Sequence, residues 1–242
     1  MTRPAVELDA IARRFGQRWV LRGVRLTVGR GEVVALLGRN GSGKTTLLRI
    51  VATLLRPTRG HGAVLGHDLV RDADAVRGRV GLLGHGNPIY PDLTAAENLA
   101  FTLRMAGRPA DASTIDGALR GVGLASERNA RARDFSAGMG RRLALARTRL
   151  LDPELLLLDE PYSSLDPLGA ELVTSLIADT RRRDGSAILV THDVARAREV
   201  ADRVVSLEAG RIVPWTPAAS PAGDEASDGE LVDAPWPARS ER

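Results

Sequence analysis

The segment Gly38-Arg39-Asn40-Gly41-Ser42-Gly43-Lys44-Thr45 follows the unbroken apolar run Val33–Leu37 and leads into Thr45–Leu55, where apolar residues recur at helical spacing. It fits the pattern G-x-x-x-x-G-K-[ST] in the strand–loop–helix setting that gives this pattern its meaning. The residue types follow from the chemistry. Glycines let successive backbone N–H groups turn inward as an anion nest at a helix N-terminus, an ammonium neutralises the outer phosphates of a nucleotide, and a hydroxyl offers Mg²⁺ a hard oxygen. Gly38, Arg39, Asn40, Gly41, Ser42, Gly43, Lys44, Thr45 and the adjoining Thr46 are therefore candidate phosphate contacts, with Thr45 also a candidate metal ligand.

Composition sharpens the reading of one of them. Of 34 Lys and Arg residues only Lys44 is a lysine. Solvated charges tolerate exchange of lysine for arginine, so the lysine that remains marks a place where a compact ammonium is needed and a guanidinium fork does not fit.

The order of elements predicts an α/β fold. Val6–Ile11 and Trp19–Val28 alternate apolar and polar residues about Gly16-Gln17, as antiparallel strands do. Val80–Leu83, Leu155–Leu158, Ala187–Val190 and Arg203–Leu207 read as short strands. Helices are expected over Gly138–Leu151, with Leu143, Ala146 and Leu150 on one face, over Leu168–Arg183 and over Val194–Val200. Residues from about 92 to 137 also read as helical, starting at the capping pattern Thr94-Ala95-Ala96-Glu97. Alternating strands and helices imply a mainly parallel sheet covered on both faces. One domain over 1–215 is expected, with a small antiparallel β subdomain and a helical subdomain at about 92–137. Thr216–Arg242, rich in Pro, Ala, Ser and acids, reads as a disordered acidic tail.

Several classes are excluded or weakened. There is no cysteine, so disulfides and thiolate metal sites are absent, and the four histidines show no metal-ligand spacing. No window reaches the roughly 18 apolar residues of a membrane-spanning helix, and Met1–Ala10 does not read as a signal peptide, so a cytoplasmic location is expected. The tail carries a net −4 against a whole-chain +4, leaving the body near +8. Without a clustered basic stripe this excess gives no nucleic-acid partner.

Asp159 and Glu160 end the strand Leu155–Leu158. Paired with a phosphate loop, two neighbouring acids divide two tasks: Asp159 serves Mg²⁺ through its water shell, and Glu160 serves as general base for an attacking water. A strand simply emerging into solvent at an acidic pair is the alternative.

Phe135-Ser136-Ala137-Gly138-Met139, upstream of that strand, resembles the L-S-G-G-Q signature of ATP-binding-cassette (ABC) ATPases, agreeing at Ser136 and Gly138 and departing at Phe135, Ala137 and Met139. Ser163-Ser164-Leu165-Asp166 looks like that family's D-loop, and His192 like its switch histidine. Phe15, in Arg14-Phe15-Gly16, matches the aromatic that stacks on adenine; an ordinary core aromatic is the alternative, as a structural histidine is for His192. The resemblance spans residues 5–213. It implies a P-loop NTPase core, ATP and Mg²⁺ as ligands, catalytic roles for Lys44, Glu160 and His192, and nucleotide contact at Asp166. It also implies a head-to-tail homodimer in which Ser136 and Gly138 complete the other copy's site, docked on integral membrane permease subunits at the cytoplasmic face.

Where the family normally offers a glutamine after Val80–Leu83, this chain reads Gly84-His85-Gly86-Asn87-Pro88-Ile89-Tyr90-Pro91. His85 there, with Asp92–Leu99, Phe135–Met139 and Asp159-Glu160-Pro161-Tyr162, resembles the ATPase of the haem exporter of cytochrome c maturation. A drug, lipid or polysaccharide exporter, a soluble ABC ATPase of DNA repair or translation, and a non-hydrolysing regulator are the alternatives. The translation and repair proteins usually carry coiled-coil insertions or fused cassettes, which this chain lacks.

Overall fold

The computed structural model describes residues 3–84, 89–163 and 165–215. His85, Ser164 and the segment 216–242 lie outside the described residues, so the expectations placed on them are not addressed by it. The elements run β1 (Val6–Phe15), β2 (Arg18–Val28), β3 (Val33–Leu37), α1 (Lys44–Val51), β4 (Arg59–Val64), β5 (His67–Asp68), α2 (Ala73–Arg77), β6 (Val80–Leu83), α3 (Ala95–Met105), α4 (Ala112–Gly121), α5 (Ala137–Leu151), β7 (Leu155–Asp159), α6 (Pro167–Arg182), β8 (Ser186–Val190), α7 (Val194–Val200), β9 (Arg203–Glu208) and β10 (Arg211–Pro214).

Two sheets form. One is antiparallel, in the order β2-β1-β4-β5; the other is β10-β9-β3-β8-β7-β6, parallel throughout except for its edge strand β10. The central strands are buried on both faces, which is why they are apolar without alternation. Val34, Leu36, Leu155, Leu157, Ile188 and Val190 pack with α1 and the antiparallel sheet, while Val33, Leu156, Leu158, Ala187 and Leu189 pack beneath α5 and α6.

Helix α5 serves two cores. Ala144 and Leu145 face the parallel sheet, whereas Leu143 and Ala146, with Leu150 at the edge, join Leu99, Leu103, Ile115 and Leu119 of α3 and α4. The face expected from helical spacing is the one buried against these helices.

Three departures from the sequence-based expectations have local causes. Helix α1 ends at Val51 rather than Leu55, because Thr53 takes φ 58° and the N–H groups of Thr53 and Leu54 return to Ile50 O and Arg49 O, a Schellman-type stop. Residues 92–137 hold two helices and a short 3₁₀ turn, Ala132–Asp134, rather than continuous helix. Strands β4, β5 and β10 and helix α2 were not expected. Gly60 and Gly62 in β4 hide its strand character, and it forms because β1 pairs with it along its length.

The expected cap at Thr94 is present in full: its hydroxyl accepts from Glu97 N–H at 3.1 Å, and the Glu97 carboxylate accepts from Thr94 N–H at 2.8 Å. From the same helix Asn98, 4% exposed, clamps the chain that returns from β6. Its Oδ1 accepts from Tyr90 N–H at 2.8 Å, and its amide donates to the carbonyls of Tyr90, Leu93 and Thr94 at 3.0–3.2 Å. Asn98→Leu takes the acceptor from Tyr90 N–H, while the three carbonyls keep the N–H groups of Leu93, Ala132 and residue 98 as donors, and should cost about 1–3 kcal/mol in urea unfolding; a loss within experimental error of zero would show that solvent replaces the clamp.

Candidate functional site

The phosphate loop leaves β3 at Gly38 and enters α1 at Lys44. Gly38 has φ 149°, and a Cβ there would stand 2.6 Å from Leu207 O and 2.9 Å from Ser42 Oγ; Gly43 has φ 107°, and a Cβ would meet Leu21 Cδ2 at 2.8 Å. Both positions therefore require glycine for conformation and for space. Lys44, 7% exposed, folds its Nζ into the loop and donates to Gly38 O at 2.6 Å and Arg39 O at 3.0 Å. Burial lowers the pKa of its ammonium, and the charges of Glu160 and Asp159 oppose that shift.

Thr45 Oγ1 donates to Asp159 Oδ2 at 2.7 Å, and Asp159 is 6% exposed. A hydroxyl and a carboxylate side by side at the mouth of a phosphate nest are the hard-oxygen set that suits Mg²⁺ carried by a nucleotide, which brings phosphate oxygens and water for its remaining positions. Among the described residues no group of three or more His, Asp or Glu is arranged to hold a metal by itself. The buried Ser42 Oγ has no hydrogen-bond partner, an orphaned polar atom beside the nest that an incoming phosphate oxygen would satisfy.

Glu160 follows Asp159 with φ 49°, a left-handed conformation that a non-glycine residue holds only when its surroundings fix it. Its N–H donates to Val190 O at 2.9 Å, its carbonyl accepts from Arg141 Nη2 at 3.0 Å, and its Oε2 accepts from His192 Nδ1 at 2.9 Å. The carboxylate is largely buried, whereas His192 is 74% exposed. Lys44, Thr45, Asp159, Glu160 and His192 are thus brought together at one end of the parallel sheet.

Ser136, Gly138, Asp166 and Phe15 lie on other elements. Ser136 caps α5 by accepting from Met139 N–H at 3.2 Å, and Asp166 caps α6 by accepting from Gly169 N–H at 2.8 Å; both are exposed. Gly138 lies in the first turn of α5. Phe15 ends β1, 46% exposed, with the Arg13 guanidinium 4.6 Å from its ring centroid, so it is not a core aromatic. Arg39, Asn40 and Gly41 form the exposed crown of the loop, and Thr46 is half-buried in α1. Sequence reasoning gave Arg141 no role at the site; its contact with Glu160 is revealed only by the fold.

The sequence model of ABC transporters matches residues 21–163. The chain belongs to the ABC transporter family. It is similar, at 38% identity, to a daunorubicin resistance ATP-binding protein of Streptomyces coeruleorubidus (88% of this chain, 68% of that one) and to a cytochrome c biogenesis ATP-binding export protein of Cupriavidus metallidurans (79% and 91%). It is 35% identical to a methionine import ATP-binding protein of Paraburkholderia xenovorans, covering 94% of this chain and 62% of that relative. Among solved structures, an ATP-binding subunit of an ABC transporter aligns with TM-score 0.78 and 29% identity over 86% of this chain and 88% of that one. An ATP-binding cassette solved as a dimer in a post-hydrolysis state with ADP and Pi aligns with TM-score 0.77 and 28% identity over 86% and 96%. This ABC chain therefore has the P-loop NTPase fold and is an ATP-binding domain, and no helix among its described residues is long and apolar enough to cross a membrane.

Lys44→Ala should weaken ATP binding by about 10- to 100-fold, the value of a hydrogen bond to a charged group, and Lys44→Arg should not restore it. Titration calorimetry with ATP checks both; unchanged affinity in the alanine variant would remove Lys44 from the phosphate site.

Proposed function

We propose that this chain is the ATP-hydrolysing subunit of a membrane transporter, acting as a homodimer on integral membrane permease subunits at the cytoplasmic face. The convergence of Thr45, Asp159, Glu160 and His192 on the Lys44 loop carries the reading. In it, the loop N–H groups from Gly38 to Thr46 and the Lys44 ammonium hold the β- and γ-phosphates, and Phe15 stacks on the adenine. Thr45 and Asp159 would hold Mg²⁺, which would supply neutralisation of the phosphate charge.

Glu160 takes a proton from the attacking water through one carboxylate oxygen while His192 Nδ1–H orients the other. The exposed N-terminus of α5, with Ser136 and Gly138, grips the γ-phosphate bound by the second copy, and Asp166 lies at the same interface. ATP thereby joins the two copies and its cleavage releases them. His85 stands where the family has glutamine and is assigned to the nucleotide's metal and water. Residues 1–215 form the ATPase domain, with a helical subdomain at about 92–137 and an acidic tail at 216–242.

The finer reading is haem export in cytochrome c maturation, supported by the segments around His85, Asp92–Leu99 and Phe135–Met139 and by a relative matched over 91% of its length. Drug export is the second reading, because a daunorubicin resistance protein is equally similar over more of this chain.

Glu160→Gln should bind ATP and persist as a dimer in size-exclusion chromatography with MgATP, whereas a monomer under those conditions would count against the mechanism. The same variant, purified from solubilised membranes of the native host, separates the cargo readings. A multi-span partner carrying a haem absorption band supports haem export; the partner without haem favours the drug exporter.

A further inference from the structure

Arg141 lies one turn beyond Ser136 on α5, and its guanidinium forks across to two other elements. Nη1 donates to Gly84 O, the residue that closes β6, at 3.2 Å, and Nη2 donates to Glu160 O, just beyond β7, at 3.0 Å. Its Nε is buried with no hydrogen-bond partner, and burial lowers its pKa against the pull of Asp159, so the group is held in a place that does not favour a cation.

A left-handed backbone at a non-glycine residue persists where its surroundings over-determine it, and at Glu160 Val190 O takes the N–H while the carbonyl accepts from Arg141 Nη2 at 3.0 Å and from Ser163 N–H at 3.2 Å. Ser163 lies in the same turn, so Arg141 is the contact that ties this carbonyl to α5, and its loss loosens the backbone that holds the carboxylate 2.9 Å from His192. The anchor on the far side is not passive. Arg141 rides on the helix whose first turn carries Ser136 and Gly138, and whose body packs on both the parallel sheet and the α3–α4 pair.

We infer that Arg141 is a positioning residue that locks the backbone of Glu160 and the exit of β6 to α5, so that Glu160 is set for hydrolysis only when α5 is seated. The inference rests on the reading of Glu160 as general base. A lysine keeps the charge and the apolar stem but reaches one carbonyl at a time, since it lacks the planar fork.

The test compares wild type, Arg141→Lys, Arg141→Met and Glu160→Gln for ATP hydrolysis, ATP affinity and ATP-dependent dimerisation, alone and with the co-purified membrane partner. Arg141→Lys should lower kcat about 10- to 100-fold, as misplacement of a catalytic group does, with KM and ATP affinity within about twofold of wild type. It should also retain the dimer with MgATP for longer than wild type. Arg141→Met should show the same split, and the lysine variant keeps the comparison intact if the methionine variant does not fold. Wild-type kcat in Arg141→Lys, or a fall in kcat matched by an equal loss of ATP affinity, overturns the inference. Wild-type turnover in Glu160→Gln overturns the reading beneath it instead.

Discussion

Everything at the site depends on the register of four parallel strands. Leu36 of β3 and Asp159 of β7 both pair with Val190 of β8, and Leu83 of β6 pairs with Leu158 of β7. The strands therefore run out together, and the residues one or two places beyond them, Gly38, Gly84, Glu160 and His192, emerge along one edge. Parallel pairing buried on both faces tolerates no slip, because a one-residue shift would exchange the side chains packed under α1 for those packed under α5 and α6. The apolar runs that look like simple core are thus what sets a hydroxyl 2.7 Å from a carboxylate and an imidazole 2.9 Å from its neighbour.

Helix α5 adds a second constraint, since it belongs to the sheet and to the helical lobe at once. Its faces separate by single positions, Leu143 and Ala146 toward α3 and α4, Ala144 and Leu145 toward β-strands, so the helix cannot rotate without unpacking one of them. Ser136 at its tip and Arg141 in its next turn would move together, which makes the exposed cap and the buried carbonyl of Glu160 parts of one lever.

Much of this was legible in the sequence, and the parts that were not share a cause. The short apolar strands, the phosphate loop, the acidic pair and the Thr94–Glu97 cap declare themselves because local composition and local structure agree. The end of helix α1 is hidden in the sequence because its stop uses Thr53, not glycine, in the left-handed position. Strand β4 was invisible because its pairing with β1 is long-range and its glycines argue against a strand. Phe15 could be placed on the surface only by the fold, and Arg141 could be linked to Glu160 only by bringing together residues 19 positions apart through the sheet.

The lone lysine shows how composition can carry structural information that periodicity does not. Its Nζ reaches Gly38 O and Arg39 O from within the loop, where the donors must converge on a point between backbone carbonyls. A guanidinium spreads its donors over a plane and would push the loop open. The ammonium also pays less for burial in this place, because Glu160 and Asp159 stand close enough to hold its proton against desolvation. In a chain whose other Lys and Arg positions are all arginine, the one lysine stands where both the space and the neighbouring carboxylates suit it.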